Sequence, residues 1–338
     1  MMDISVPYYS DMSRISNSNI GWFLNKGPAY LHKMLTEDVP EEKSQALERG
    51  TMIHEYILQP EEFQKDYVVW DKPKPLSVQQ EKFCQALASS TEIEPNKAVL
   101  SAYKETYSTK GRTDENMLSE GLKIASTLKD YIDFLKANDE RIMISPWDVK
   151  MLEKIKQNIQ SHKLAWKIIN SQSTIYESID SNKRTQWGAH EFHINWEFYG
   201  DMPIACKSLL DGLTLDFKNK KAIIYDLKTT QKLWNFEESM KQYDYCRQLM
   251  YYTMAVQWYL KYEFGQDPKD WSFKWYIIGI DTTGSNEIRV FKFDNDQIYS
   301  RTNTIEKALV DIAWHQANAK WDHSRAYYEG DGSETLNL

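Results

Sequence analysis

Residues 213–230, LTLDFKNKKAIIYDLKTT, constrain the fold of this chain more than any other stretch. Two apolar, β-rich runs flank a polar centre, with Asn219 to Lys221 at the turn, so the segment reads as a hairpin. Its returning strand turns ionic at the end. Successive side chains on a strand point to opposite faces, so Ile223, Tyr225 and Leu227 share one face and Ile224, Asp226 and Lys228 the other. An acid and an amine thus stand side by side next to residues that belong in a core. Upstream, Asp211-Gly212 ends the apolar run PIACKSLLD. Paired strands lie about 5 Å apart, which brings Asp211 within reach of Asp226 in a suitable register.

Two carboxylates held together repel, and coexist only with a proton or a cation between them. Hard divalent ions, Mg²⁺ or Mn²⁺, take such oxygen ligands. A neighbouring ammonium orients a water and stabilises an oxyanion. These parts suit metal-assisted phosphodiester hydrolysis, with Lys228 as positioner. The competing reading is a surface ion pair at a fraying strand end, which contributes almost nothing to stability.

The rest of the chain surrounds this hairpin with helices. Residues 16–36 read as a capped helix, a Gly-Pro break and a second short helix. A helix over 43–58 carries Leu47, Ile53, Ile57 and Leu58 on one stripe and ends at Pro60. Residues 72–116 are polar and mixed, a helical insertion with a mobile loop near 105–116. Helices follow at 117–137 and 146–170, the latter opened by Ser145-Pro146. From about 174 to 230 the pattern turns to strands. One long helix is expected at 237–262, strands at 272–280 and 287–293, a helix at 303–320, and a frayed tail. The resulting organisation is a helical region over 1–170, a strand-rich core over 171–325 and a tail over 326–338, in one integrated domain. The order predicts an α/β or α+β fold, a mixed sheet flanked by helices.

The 338 residues carry a net charge of −8 and include 12 Trp and 21 Tyr. A coat for nucleic acid is usually basic, so broad phosphate binding is disfavoured, although a focused basic groove is not. There is no run of 18 apolar residues and no signal-peptide pattern, so the expectation is a cytoplasmic protein without a membrane span. Cys84, Cys206 and Cys246 are scattered, which argues against disulfides and thiolate zinc.

Asp211 followed by Asp226-Leu227-Lys228 resembles the core motif of the PD-(D/E)xK nucleases. RQLMYYTMAV, with Gln248 and Tyr252 four apart on one helix face, looks like the QxxxY helix of the RecB-like branch. ALERGTMIHEYILQPEEF resembles that branch's histidine helix, especially in RecE-type phage exonucleases. ISNSNIGWFLNKGPAYL and ISPWDVKMLEKIKQNI are similar to their opening segment and to the helix before their catalytic sheet. The motifs occur in order over most of the chain. On the residues alone, His54 is a core histidine and Gln248-Tyr252 a glutamine beside a core aromatic. HEYIL is not a zinc motif, since Leu58 stands where a second histidine is needed. His190 and His193 fall on opposite faces of a strand and make no pair.

The resemblance implies a restriction-endonuclease-like core in which His54, Asp211 and Asp226 hold Mg²⁺ or Mn²⁺, with the Leu227 carbonyl as a further ligand. It also implies an acidic residue on an earlier strand: Glu191, with Glu177 as the competitor. Lys228 would orient the water, and Gln248 and Tyr252 the DNA strand. In the mechanism these parts suggest, Thr229 and Thr230 either donate to phosphate or only cap the strand. Lys207 resembles a basic DNA-contacting position, but the family's Arg-Pro is replaced here by Leu209-Leu210. With three scattered cysteines, no iron–sulfur cluster is expected. The activity implied is 5′→3′ digestion of linear double-stranded DNA, in phage or prophage recombination. It would act as a ring-shaped homo-oligomer that leaves a strand for an annealing protein. The alternatives are an inactive DNA-binding or assembly protein on the same fold, or an endonuclease or nuclease subunit of a repair or defence complex.

Overall fold

The computed structural model describes residues 7–37, 39, 44–170 and 186–334. The chain divides into two compact units, one formed by Met1–Pro60 with Met151–Leu338 and the other by Glu61–Lys150.

The first unit opens with α1 (Asn17–Thr36) and α2 (Gln45–Leu58). Ser16 caps α1 in a reciprocal box with Asn19, which satisfies two N–H groups that the helix itself cannot. Gly27, at φ 82°, breaks α1 ahead of Pro28, the conformation glycine permits and a residue before proline needs. The second unit holds α3 (Pro60–Asp66), β1 (Tyr67–Val69), α4 (Val78–Ala88), α5 (Pro95–Thr106), α6 (Asp114–Thr127), α7 (Lys129–Lys136) and β2 (Ile142–Ile144). Its two short strands pair in parallel, and its helices bury Phe83, Val99, Tyr103, Met117 and Ile132. The segment read as an insertion, 72–116, lies within this unit.

The chain then continues through α8 (Pro146–Ser161), α9 (Lys163–Ile169), β3 (Gln186–Tyr199), β4 (Pro203–Asp216), β5 (Lys221–Thr230), α10 (Phe236–Tyr243), α11 (Tyr245–Tyr262), β6 (Ser272–Asp281), β7 (Ile288–Phe293), α12 (Asn295–Tyr299), α13 (Thr302–Asn318) and α14 (Arg325–Glu329). The last five strands form one sheet in the order β3-β4-β5-β6-β7. β5 and β6 run parallel and the other neighbours antiparallel, so the sheet is mixed. A parallel pair needs a long crossover, which here is α10 with α11. The β5 side chains Ala222 and Ile224 join Leu213, Leu215, Met250, Tyr251, Ala255 and Trp275 in one core. Two indoles of this core have partners: Trp196 donates to Ser208 Oγ at 3.1 Å and Trp275 to Thr253 Oγ1 at 2.8 Å, whereas the buried Nε1 of Trp271 has none among the described residues. Among the described residues no helix is long and apolar enough to cross a membrane.

Four expectations are corrected. The helix predicted over 237–262 is two helices. Asp244 adopts a left-handed φ of 46° between them and caps α11 by accepting the Arg247 N–H at 3.3 Å. Arg301 Nε holds the same carboxylate at 2.9 Å, so a tertiary ion pair supports the break. The stretch 146–170 is likewise split, with His162 Nδ1 accepting the Ala165 N–H at 3.2 Å to cap α9. The stretch 117–137 is split at Leu128, whose ψ of 22° departs from the helical range. Finally, α14 occupies the first residues of the segment read as a tail. Glu177 lies outside the described residues.

The β4–β5 hairpin forms with residues 217–220 as its turn and Lys220 at φ 47°. Beyond the turn, Gly212 faces His190 on one side and Tyr225 on the other. The Tyr225 ring lies across Gly212, where a Cβ would meet Tyr225 Cε1 at 2.0 Å. The Tyr225 hydroxyl reaches His190 Nδ1 at 2.6 Å. Only a residue without a Cβ lets this cross-strand contact close. Gly212→Ala should therefore destabilise the protein by about 1–3 kcal/mol through overpacking, read as a lower midpoint of denaturant unfolding with an unchanged slope. An unaltered midpoint would show that the ring moves aside freely.

Candidate active site

The site begins where the hairpin ladder ends. β4 and β5 pair from Asp216↔Lys221 to Gly212↔Tyr225 and no further, while β4 goes on pairing with β3 and β5 with β6. Past that point the Leu227 N–H donates not to the β4 main chain but to Asp211 Oδ2, at 2.6 Å. One strand over, the β3–β4 register skips Glu191, which has a left-handed φ of 44° between His190↔Gly212 and Phe192↔Leu210. Such a backbone is costly for a residue with a side chain and re-aims it. Two interruptions thus fall at one level of the sheet, at the acids Glu191 and Asp211.

α2 brings the third group. Gly50 packs closely on β5, since a Cβ there would stand 3.2 Å from Thr229 Oγ1. One turn later His54 Nδ1 lies 3.5 Å from Asp211 Oδ2. His54, Glu191 and Asp211 each offer a ligand atom, and these atoms all lie within 4.8 Å of one another. One imidazole and two carboxylates form a donor set that suits a divalent cation.

Asp226 stands beside this group, almost wholly buried. It forms an ion pair with Lys228 on its own strand. From α11, Gln248 Nε2 donates to Asp226 Oδ1 at 3.0 Å and to the Tyr252 hydroxyl at 2.8 Å. Gln248 and Tyr252 therefore point at the acid end of β5, as their four-residue spacing allows. The Lys228 ammonium lies 5.3 Å from the centre of the Tyr245 ring.

The electrostatics follow from burial and crowding. Glu191 is pushed up to about 8 by desolvation first, then by Asp211, Asp226 and Glu55. Asp226 rises to about 7, again by burial first and then Asp211, with Lys228 opposing. Burial pulls Lys228 downward, but Asp226 and Asp211 outweigh it, and the amine stays charged well above its ordinary value. Burial lowers His54 despite Asp211 and a bond to the Leu227 main chain, so the imidazole is neutral and able to ligate. Burial and crowding thus push Glu191 and Asp226 towards their protonated forms.

The structure thus gathers His54, Glu191, Asp211, Asp226, Leu227, Lys228, Gln248 and Tyr252 around one end of β5, and Thr229 next to them. Lys207 is a correction. Its ammonium donates to the carbonyls of Tyr8 and Asp11, both at 2.6 Å, and lies 4.7 Å from the centre of the Tyr8 ring. It anchors the N-terminal segment, whose Ile15 bridges to Cys206 on β4, with two of its three ammonium protons held by main-chain carbonyls. His190 and His193 diverge as expected: His190 meets Tyr225, while His193 stands edge-on to Tyr8. Sequence reasoning missed Tyr245 under Lys228 and the His190–Gly212–Tyr225 contact. The one available signal was a glycine inside an apolar strand, which marks a bulge or a close approach.

A family model described as "PDDEXK-like domain of unknown function (DUF3799)" matches residues 16–326. The chain belongs to this family, and its mixed sheet with flanking helices is a PD-(D/E)xK-type, nuclease-like core. A crystal structure of a "Putative exonuclease" from Eubacterium rectale aligns over 100% of this chain and 97% of its own, with 14% identity and a TM-score of 0.49. No curated protein matches.

The raised carboxyls make stability depend on pH with a defined sign. A buried histidine such as His54 or His190, lowered from 6.5, favours folding increasingly as pH rises, but only up to about that value. Above it the carboxyls remain. Glu191 and Asp226 keep protons in the folded state that the unfolded chain has released, so stability falls as pH rises towards about 8. Metal-free protein should therefore lose unfolding free energy between pH 6.5 and 8, and Mn²⁺ should stabilise it more at pH 8 than at pH 6.5. Glu191→Gln should flatten the loss. A profile that rises over this interval would contradict the assignment.

Proposed function

We propose that this protein is a divalent-metal-dependent deoxyribonuclease that hydrolyses DNA phosphodiesters, acting as a 5′→3′ exonuclease on linear double-stranded DNA in the manner of RecE-type phage enzymes. The observation that carries the reading is the convergence of His54, Glu191 and Asp211 ligand atoms within 4.8 Å, beside the Asp226–Lys228 pair. The donor set and the raised carboxyls both fit a bound cation. His54, Asp211 and Glu191 would hold it, with Asp226 and the Leu227 carbonyl available to complete its coordination. Bound there, Mg²⁺ or Mn²⁺ supplies Lewis acidity toward a phosphate oxygen and a water of lowered pKa.

The remaining work belongs to the chain. Lys228, charged and partly buried, orients the attacking water and offsets the charge that develops on the phosphate. Asp226 keeps that ammonium in place. Gln248 fixes the Asp226 carboxylate from α11, and Tyr252 fixes Gln248, so the acid does not rotate away from the site. Thr229, at the exposed end of β5, donates to the phosphate of the bound strand. The net charge of −8 is compatible with DNA binding in a ring-shaped homo-oligomer, where only the channel need be positive. A single-strand annealing protein is the partner that such a product calls for.

The test is digestion of end-labelled linear DNA with Mg²⁺, set against covalently closed circular DNA. Wild type should degrade the linear form from its 5′ ends and leave the circle intact. Asp226→Asn and Lys228→Ala should each lower the rate by at least about 10²-fold, on the scale of losing an electrostatic stabiliser, with far-UV circular dichroism unchanged. Gln248→Ala should cost less, since it acts through Asp226. Cleavage of the circle would replace the exonuclease by an endonuclease. Wild-type activity in Lys228→Ala would remove the mechanism.

A further inference from the structure

Next to the proposed active site, and sharing Thr229 with it, lies a cleft of about 260 Å³. Its wall begins at Thr229 and Thr230, directly after Lys228, and continues with Lys232, Gln242, Tyr243 and Tyr245. The cleft and the ammonium share a wall, since Lys228 lies over the Tyr245 ring. A ligand in the cleft is therefore adjacent to whatever group Lys228 serves.

The aromatic side of the cleft is built as a ladder. Phe291 stacks on Phe236 with centroids 4.8 Å apart and planes at 20°. Phe236 stacks on Tyr245 at 5.8 Å and 28°, and Tyr245 on Tyr243 at 5.8 Å and 21°. The ladder starts in the core, where Phe236 is 2% exposed, and ends at Tyr243, which is 57% exposed. Three stacked contacts thus run from the core to Tyr243, which is backed by Tyr245 on one side. An exposed aromatic face with amide, hydroxyl and ammonium groups around it offers stacking to a planar heterocycle and hydrogen bonds to its edge and phosphate, while the one carboxylate of the wall, Glu238, accepts from Asn235 at 2.8 Å. Trp234, 75% exposed, lies two residues before Phe236 in the segment that leads into α10.

We propose that this cleft is a subsite for one unpaired nucleotide of the DNA strand, whose base stacks on Tyr243 while the adjoining phosphate lies at Lys228. The inference rests on the nuclease reading for the identity of the strand. A cleft of this volume admits one nucleotide and not a base pair with its two backbones, so the strand enters the site already parted from its complement. Gln242, beside Tyr243, can meet any base edge through its amide, which fits a site that does not select sequence.

The test uses the full-length protein and oligonucleotides that carry 2-aminopurine at the terminal unpaired position of a duplex with a three-nucleotide 5′ or 3′ tail. Ca²⁺ replaces Mg²⁺, so that binding is read without turnover. Wild type should quench the 2-aminopurine fluorescence. Tyr243→Ala should abolish the quench and weaken binding about ten-fold, the scale of one lost base–aromatic stack. Tyr243→Phe should restore both, because stacking needs the ring and not the hydroxyl. An abasic nucleotide at that position should erase the difference between wild type and Tyr243→Ala. Equal binding and quenching in Tyr243→Ala would overturn the subsite, as would a loss that persists with the abasic strand, or a wild type that neither binds nor quenches. The two readings fail separately: cleavage of end-labelled DNA without any Tyr243 effect removes the subsite alone. Quenching by a protein that cleaves nothing removes the nuclease and leaves a nucleotide-binding cleft.

Discussion

Two antiparallel strands stop pairing at Gly212 and Tyr225, and the site depends on that parting. A buried main-chain N–H without a partner costs about 1–3 kcal/mol. The Leu227 N–H escapes that cost because Asp211 reaches across and accepts it. The same hydrogen bond fixes an acidic side chain at the mouth of the opened sheet. The Tyr225 ring lies over Gly212 just before the parting, so the ladder ends at one defined residue. A strand break that would be a defect elsewhere becomes the place where the strands' side chains meet.

From that parting the electrostatics follow. Glu191 and Asp226 lie in a poorly solvated volume beside Asp211, and burial with the neighbouring acids raises both carboxyls. Lys228 relieves Asp226, and Gln248 adds a neutral hydrogen bond. Lys228 opposes the rise of Glu191 as well, but burial and the neighbouring acids outweigh it, and that carboxyl reaches about 8. A cation between His54, Glu191 and Asp211 would relieve that crowding. The left-handed backbone at Glu191 is a local cost, offset by the β3–β4 pairing on both sides of it.

Much of this was legible from period-two and period-3.6 arithmetic. Alternation put Asp226 and Lys228 on one face of β5, and the hairpin brought Asp211 alongside. Four-residue spacing put Gln248 and Tyr252 on one face of α11. The illegible parts are those set by distant residues. The break at Asp244 carries no glycine or proline and depends on Arg301, 57 positions away. The left-handed backbone at Glu191, inside β3, has no glycine or asparagine to mark it in the sequence. Lys207 reads as a basic residue ahead of a catalytic acid, yet its ammonium is taken by carbonyls near the start of the chain. Tyr245 and Tyr243 carry no sequence signal of the ladder behind them, which joins them to Phe236 and Phe291.

The central claim is that His54, Glu191 and Asp211 hold one divalent ion. Anomalous diffraction from crystals grown with Mn²⁺ tests it most directly. The account predicts a single strong peak bonded to His54 Nδ1 or Nε2 and to oxygens of both carboxylates, and no such peak in Asp211→Asn crystals. A peak confined to other residues, or none at saturating Mn²⁺, would contradict it.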